Sequence, residues 1–169
     1  MTRGSDRSAR LARIDEANRL LEHISRFGRR FFHDRASGRV ARFETDADGR
    51  LRFRDDYTDH PVYVAYGGRW RHFSHGGTLR GLVEGLANYI RTGKPIPSGH
   101  FGPWPDHYCR GDLWGYGKQE MEKLRLAARG CACVAWTQNR RDVRKASSAP
   151  DAEPSNEPEH EKHENRPEP

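Results

Sequence analysis

The stretch RVARFETDADGRLRFR, residues 39–54, decides the fold class. In Arg50-Leu-Arg-Phe-Arg54 apolar and cationic residues alternate strictly. Leu51 and Phe53 therefore share one face of a strand, and Arg50, Arg52 and Arg54 share the other. The connection Asp46–Gly49 before it carries an Asp-Gly pair, a hairpin signal that joins it to a strand over Arg39–Glu44. Working outward, Arg30–His33 and Pro61–Tyr66 read as two more strands, with Asp34–Gly38 as a turn, and Arg69–Phe73 is available as a fifth. The expected sheet is an antiparallel meander of four to five strands with a wet, cationic outer face.

On either side the period changes to that of helices. Leu11, Ile14, Leu20, Leu21 and Ile24 recur at helical spacing, with Ser5, Asp6 and Ser8 as candidate N-caps and Gly28 as the stop. Arg10, Arg13, Arg19 and Glu22 make this an amphipathic surface helix. Downstream, Thr78 can cap a second helix whose apolar side is Leu79, Leu82, Val83, Leu86, Tyr89 and Ile90, ended by Gly93 and kept closed by Pro95 and Pro97. A third helix reads over Lys118–Arg129, with Met121, Leu124 and Leu126 as apolar positions and Gly130 after it. The fold class is α+β: an N-terminal helix, a β-meander, then two further helices with an aromatic, Gly-rich loop between them.

That loop, residues 100–117, carries Phe101, Trp104, Tyr108, Trp114 and Tyr116 between Gly and Pro residues that break every regular pattern. So many rings must either plug the domain's own core or face a partner. A domain of this size that needs to complete its core favours the plug for most of them.

The 169 residues hold 30 Lys and Arg against 24 Asp and Glu, a net charge of +6. From Ala146 onward Lys162 and Arg166 face seven carboxylates, a net of −5, so residues 1–145 carry +11. The expected organisation is one domain over residues 1–136 and a disordered, charged tail over 137–169, too poor in apolar residues to offset its ordering entropy. A basic body with an acidic tail fits a polyanion binder whose tail competes for the basic face. No stretch reads as a membrane span or signal core, and three cysteines, an odd number, suit a reducing cytoplasm.

For nucleic acid, the residues of choice are Arg50, Arg52, Arg54, Arg69, Trp70 and Arg71, cations for phosphates beside a ring for stacking. For a protein partner they are Trp104, Trp114 and Tyr116 in the loop. The protein acts by binding on this reading, to nucleic acid through the sheet face first, with a protein partner at the loop 100–117 as the close alternative. His72, His75, His107 and Cys109 are the residues a metal could use, but they lack the paired spacing of a zinc module, and Cys131 and Cys133 are too close together for one. A Cys109, Ser74 or Thr78 nucleophile has no recognised motif around it, and Asp55, Asp56 and Asp59 sit in a turn. Gly76-Gly77-Thr78 could cradle an anion but reads as an ordinary helix entry. No cofactor is expected, and a metal-dependent enzyme is the weakest of the readings.

Arg29-Arg-Phe-Phe32, Gly68-Arg-Trp-Arg71, Phe73-Ser-His-Gly-Gly-Thr-Leu79, Phe101-Gly-Pro-Trp-Pro105 and Gly111-Asp-Leu-Trp-Gly-Tyr-Gly117 together resemble a group of small uncharacterised proteins from bacterial plasmids, prophages and integrative elements. The resemblance covers about residues 8–130, the folded span. It implies a mobile-element accessory protein and carries no activity with it.

Overall fold

The computed structural model describes residues 3–64 and 70–136. The expected tail, Arg69 and the end of the expected Pro61–Tyr66 strand at Ala65 and Tyr66 lie outside them. Helix α1, Arg3–Arg26, is followed by strands β1 (Arg42–Thr45), β2 (Leu51–Arg54) and β3 (Pro61–Tyr63). Helix α2, Gly77–Thr92, leads into β4 (Ile96–Pro97), the loop, helix α3 (Lys118–Ala128) and β5 (Val134–Ala135). This is the expected α+β order. Among the described residues, no helix is long and apolar enough to cross a membrane.

The alternation in β2 does what its period requires. Leu51 and Phe53 are buried while Arg52 and Arg54 stay half-exposed. Phe53 stands opposite Phe43 of β1 and Val62 of β3 in an antiparallel order β1-β2-β3. The Phe43 and Phe53 rings meet edge to face at 5.3 Å. Against this sheet lies the apolar side of α1: Ile14, Ala17, Leu20, Leu21 and Ile24 are all buried. The same helix also packs on α2 and α3, so it is the spine of the domain.

Several expectations need correction. Arg30–His33 forms no strand: Arg30 and Phe32 have φ of 55° and 61°, and pairing is reduced to one bridge, His33 to Val40. The chain turns there so that Phe32 enters the core. The meander therefore has three strands. Trp70–Phe73 makes a turn instead of a fifth strand, closed by the Phe73 N–H on the Trp70 carbonyl at 3.2 Å. Helix α1 already runs through Ser5, Asp6 and Ser8, and Gly76, not Thr78, is the N-cap of α2. Leu11 and Leu126 are exposed. A second, parallel sheet pairs Ile96 of β4 with Val134 of β5 and returns the chain to the core beside Cys131 and Cys133.

Gly28 shows how α1 ends. Its φ is 51°, and a Cβ there would overlap the Tyr116 ring, whose hydroxyl donates to the Ile24 carbonyl at 3.2 Å. Glycine thus serves both the left-handed turn and the seating of a loop residue. Gly28→Ala should cost about 3 kcal/mol, from left-handed strain plus overpacking. A urea denaturation midpoint unchanged from wild type would refute that close fit.

Candidate functional site

The cationic face proposed for nucleic acid is charge-balanced in place. On β2, Arg54 pairs with Glu44 of β1 at 2.7 Å and Asp59 at 3.6 Å, and Arg52 pairs with Asp46 at 2.9 Å. Arg50 meets Asp48 at 3.6 Å, and Arg42 meets Glu44 at 3.4 Å. The Arg52 guanidinium also lies over the Tyr63 ring at 5.0 Å. Trp70 is half-buried, edge-on to Phe73 at 4.9 Å, with Arg80 of α2 over its ring at 4.8 Å. Arg71 is exposed. Alternation told which way the arginines point but not which carboxylates the register sets beside them.

The four residues weighed for metal do not gather. His72 stacks on His60 at 4.4 Å, His107 on Tyr108 at 4.3 Å, and Cys109 is exposed. His75 instead joins Asp55 and Asp56, and these three bring ligand atoms within 4.8 Å of one another. Asp55, however, is fully engaged. Its Oδ1 accepts from the N–H and hydroxyl of Ser74 at 2.9 and 3.0 Å. Its Oδ2 accepts from the N–H groups of Tyr57 and Thr58 at 3.1 and 2.9 Å and from the Thr58 hydroxyl at 3.2 Å. No lone pair is left for a cation. Asp56 holds His75 Nε2 at 2.6 Å against Phe32 and Phe73. The cluster is a structural clasp. No residue pattern displayed it: the donors Asp55 finds two and three residues on include backbone N–H groups that any residue but proline supplies.

The loop divides its rings between two jobs. Phe101, Trp114 and Tyr116 are buried, with Trp114 5.6 Å from Phe101 and 5.5 Å from Tyr116. Burial pushes the Tyr116 phenol well above its usual pKa. Two of the three rings assigned to a partner, Trp114 and Tyr116, thus belong to the core. Trp104 is half-buried: it stacks on Trp114 at 6.4 Å and donates from Nε1 to the Gly99 carbonyl at 3.1 Å. Asp112 holds the loop's end by accepting the N–H groups of Tyr116 and Gly117, each at 2.9 Å.

Outside this plug the backbone is strained. Cys109, Arg110 and Gly111 have φ of 50°, 56° and 74°, three left-handed residues in a row. They wall a groove of about 880 Å³ between the loop and α3. Trp104 and Met121 give it an apolar floor, and Asp106, Arg110 and Lys118 give it a charged rim. Sequence reasoning placed a partner on the rings; the groove beside them depends on backbone angles that no residue pattern displayed.

The other cysteines lie away from this groove in the core. The neighbouring Cys133 thiol and Arg19 draw the Cys131 thiol down to about 7, while Cys131 and burial push up Cys133, whose thiol donates to the Glu16 carbonyl at 3.7 Å.

Removing the clasp should be expensive. Asp55→Ala leaves the N–H groups of Tyr57, Thr58 and Ser74 without their acceptor, a loss of about 3–5 kcal/mol. Asp56→Ala, which breaks a single contact with His75, should cost less. Equal and small shifts in thermal midpoint for the two variants would contradict this ranking.

A family model described as YoqU matches residues 7–143 of the chain. The SPbeta prophage-derived uncharacterized protein YoqU of Bacillus subtilis (strain 168) is 30% identical over 122 residues, which cover 70% of this chain and 80% of that protein. No solved structure matches.

Proposed function

The chain belongs to the YoqU family, and from that premise we propose that it is a mobile-element accessory protein that acts by binding a protein partner in the groove beside the 100–117 loop. The prophage origin of the Bacillus relative supports the first half of this reading. The observation that carries the second half is the left-handed run Cys109–Gly111. Left-handed backbone costs about 1–2 kcal/mol for each non-glycine residue, and strain of this kind collects at binding sites. Here it lines a recess of about 880 Å³, in the size range of ligand pockets.

The lining narrows the partner's chemistry. An apolar side chain fits over Trp104 and Met121. Asp112 is bonded to backbone N–H groups and Glu122 is paired with Arg125. Asp106 is thus the lining carboxylate left beside Arg110 and Lys118, which suit a flanking carboxylate of the partner. Arg125 is less available, since it donates to the Phe101 carbonyl at 2.8 Å and pairs with Glu122 at 2.8 Å. The nucleic-acid alternative on the sheet face asks Arg50, Arg52 and Arg54 to give up carboxylates already beside them. Each such exchange reduces the gain from releasing counterions.

Panning a displayed random-peptide library against the full chain tests the groove. Enriched peptides should combine an aromatic or aliphatic residue with Asp or Glu. Their affinity should fall at least about tenfold, ~1.4 kcal/mol, in the double variant Arg110→Glu/Lys118→Glu. Peptides that bind the double variant unchanged would remove the groove from the reading. Peptides whose binding depends on Arg50 and Arg52 instead would return it to the sheet face.

A further inference from the structure

The charge that the sheet face balances locally is left over elsewhere. Arg7, Arg10 and Arg13 recur every third residue of α1, about 4.5 Å apart along the helix axis. Arg91, in the last turn of α2, reaches the same place. Together with Asp6, these four arginines line a recess of about 370 Å³. Arg91 is anchored by donating to the Val64 carbonyl at 3.1 Å. Gly93, the left-handed C-cap of α2, makes room for Arg13, whose Nη1 lies 3.1 Å from where a Cβ would stand.

Two observations separate this group from a solvated fan of arginines. The Nε atoms of Arg10 and Arg13 are buried without a hydrogen-bond partner. Buried donors of this kind are rare because an unmet guanidinium N–H loses its water and gains nothing in return. Further, the ion pairs among the described residues include none of Arg7, Arg10, Arg13 or Arg91. On the outer sheet face, by contrast, Arg42, Arg50, Arg52 and Arg54 are all paired. Four cations therefore gather around a recess in which, among the described residues, Asp6 is the one lining carboxylate.

We propose that this recess is an oxyanion site that holds a phosphate group between α1 and the end of α2. The planar forks of guanidinium groups match tetrahedral oxyanions and favour bidentate contacts. A phosphate here would accept the two buried Nε–H donors and neutralise part of the cluster. The recess is larger than one phosphate needs, so the group arrives attached to something, and the same chemistry serves a free phosphate ester or the backbone of a nucleic-acid strand. This site is separate from the loop groove and does not depend on the reading given to it.

The test uses the full chain, with inorganic phosphate and a labelled single-stranded oligonucleotide as probes. Phosphate should raise the thermal midpoint relative to chloride at matched ionic strength, because a ligand that binds only the folded state stabilises it. Arg10→Gln/Arg13→Gln should abolish that rise. Should the double variant fail to fold, Arg7→Gln, at an exposed position, should still weaken phosphate binding severalfold. A strand as the source predicts oligonucleotide binding whose log affinity falls linearly with log salt, with a slope shallower by about 0.7 in Arg7→Gln. A free ester as the source predicts the phosphate effect without oligonucleotide binding. No response to either probe, or equal responses in wild type and both variants, overturns the proposal.

Discussion

Asp55 is a fully buried carboxylate that accepts five hydrogen bonds, and the placement of both the sheet and the second helix follows from it. Its own N–H donates to the His60 carbonyl and its carbonyl accepts the Asp59 N–H, each at 3.1 Å, so the turn from β2 to β3 closes around it. Its side chain then reaches across to Ser74, nineteen residues on. Holding Ser74 sets its two neighbours: Phe73 lies 5.7 Å from Phe53, and His75 lies 4.6 Å from Phe32. The next residue, Gly76, is the N-cap of α2. The helix starts where the carboxylate allows. A buried charge is tolerable only when its lone pairs are all used, which is why this one is satisfied so completely.

The second organising fact is that charge is settled locally, not over the chain as a whole. A body carrying +11 invites a search for one cationic surface. Yet cross-strand register sets Glu44 opposite Arg52 and diagonal to Arg54, and the hairpin turn supplies Asp46 and Asp48. The sheet face is accordingly a lattice of ion pairs, each worth little to stability because it is exposed to water. What this lattice does is offset the charge of the β2 arginines locally. The excess is displaced to helical positions such as Arg7, Arg10 and Arg13, where Asp6 is the nearby carboxylate of the recess.

The parts of this architecture that were legible in the sequence are those written in a single local period. The apolar side of α2, its Gly93 stop and the alternation of β2 all appear as read. Arg30–His33 misleads because Phe31 and Phe32 both pack inward around a left-handed turn, so adjacent apolar residues mimic a strand without alternating. The pair β4 and β5 is two residues long and joined across 38 positions, too short for any period to register. Asp55, Asp56 and His75 are similarly silent: each is an ordinary turn residue until the fold brings residues nineteen apart together.

The aromatic loop shows why composition alone leaves function open. Its rings suggested either a core plug or an interface, and the structure makes it a plug on one side and a strained rim on the other. Phe101, Trp114 and Tyr116 complete a core to which the three helices and five short strands also contribute. Arg125 of α3 ties the loop's start through the Phe101 carbonyl, and Asp112 ties its end. Between these two ties the chain has no packing reason to adopt left-handed angles at Cys109 and Arg110, both of which are exposed. The turn is closed by its own backbone: the Gly111 N–H donates to the Tyr108 carbonyl at 2.8 Å and the Asp112 N–H to the Cys109 carbonyl at 3.1 Å. A loop closed by its own hydrogen bonds is partly ordered in advance, which lowers the ordering cost of any contact it makes. The buried rings thus belong to the core, and the groove beside the loop is lined by Trp104 and Met121 instead.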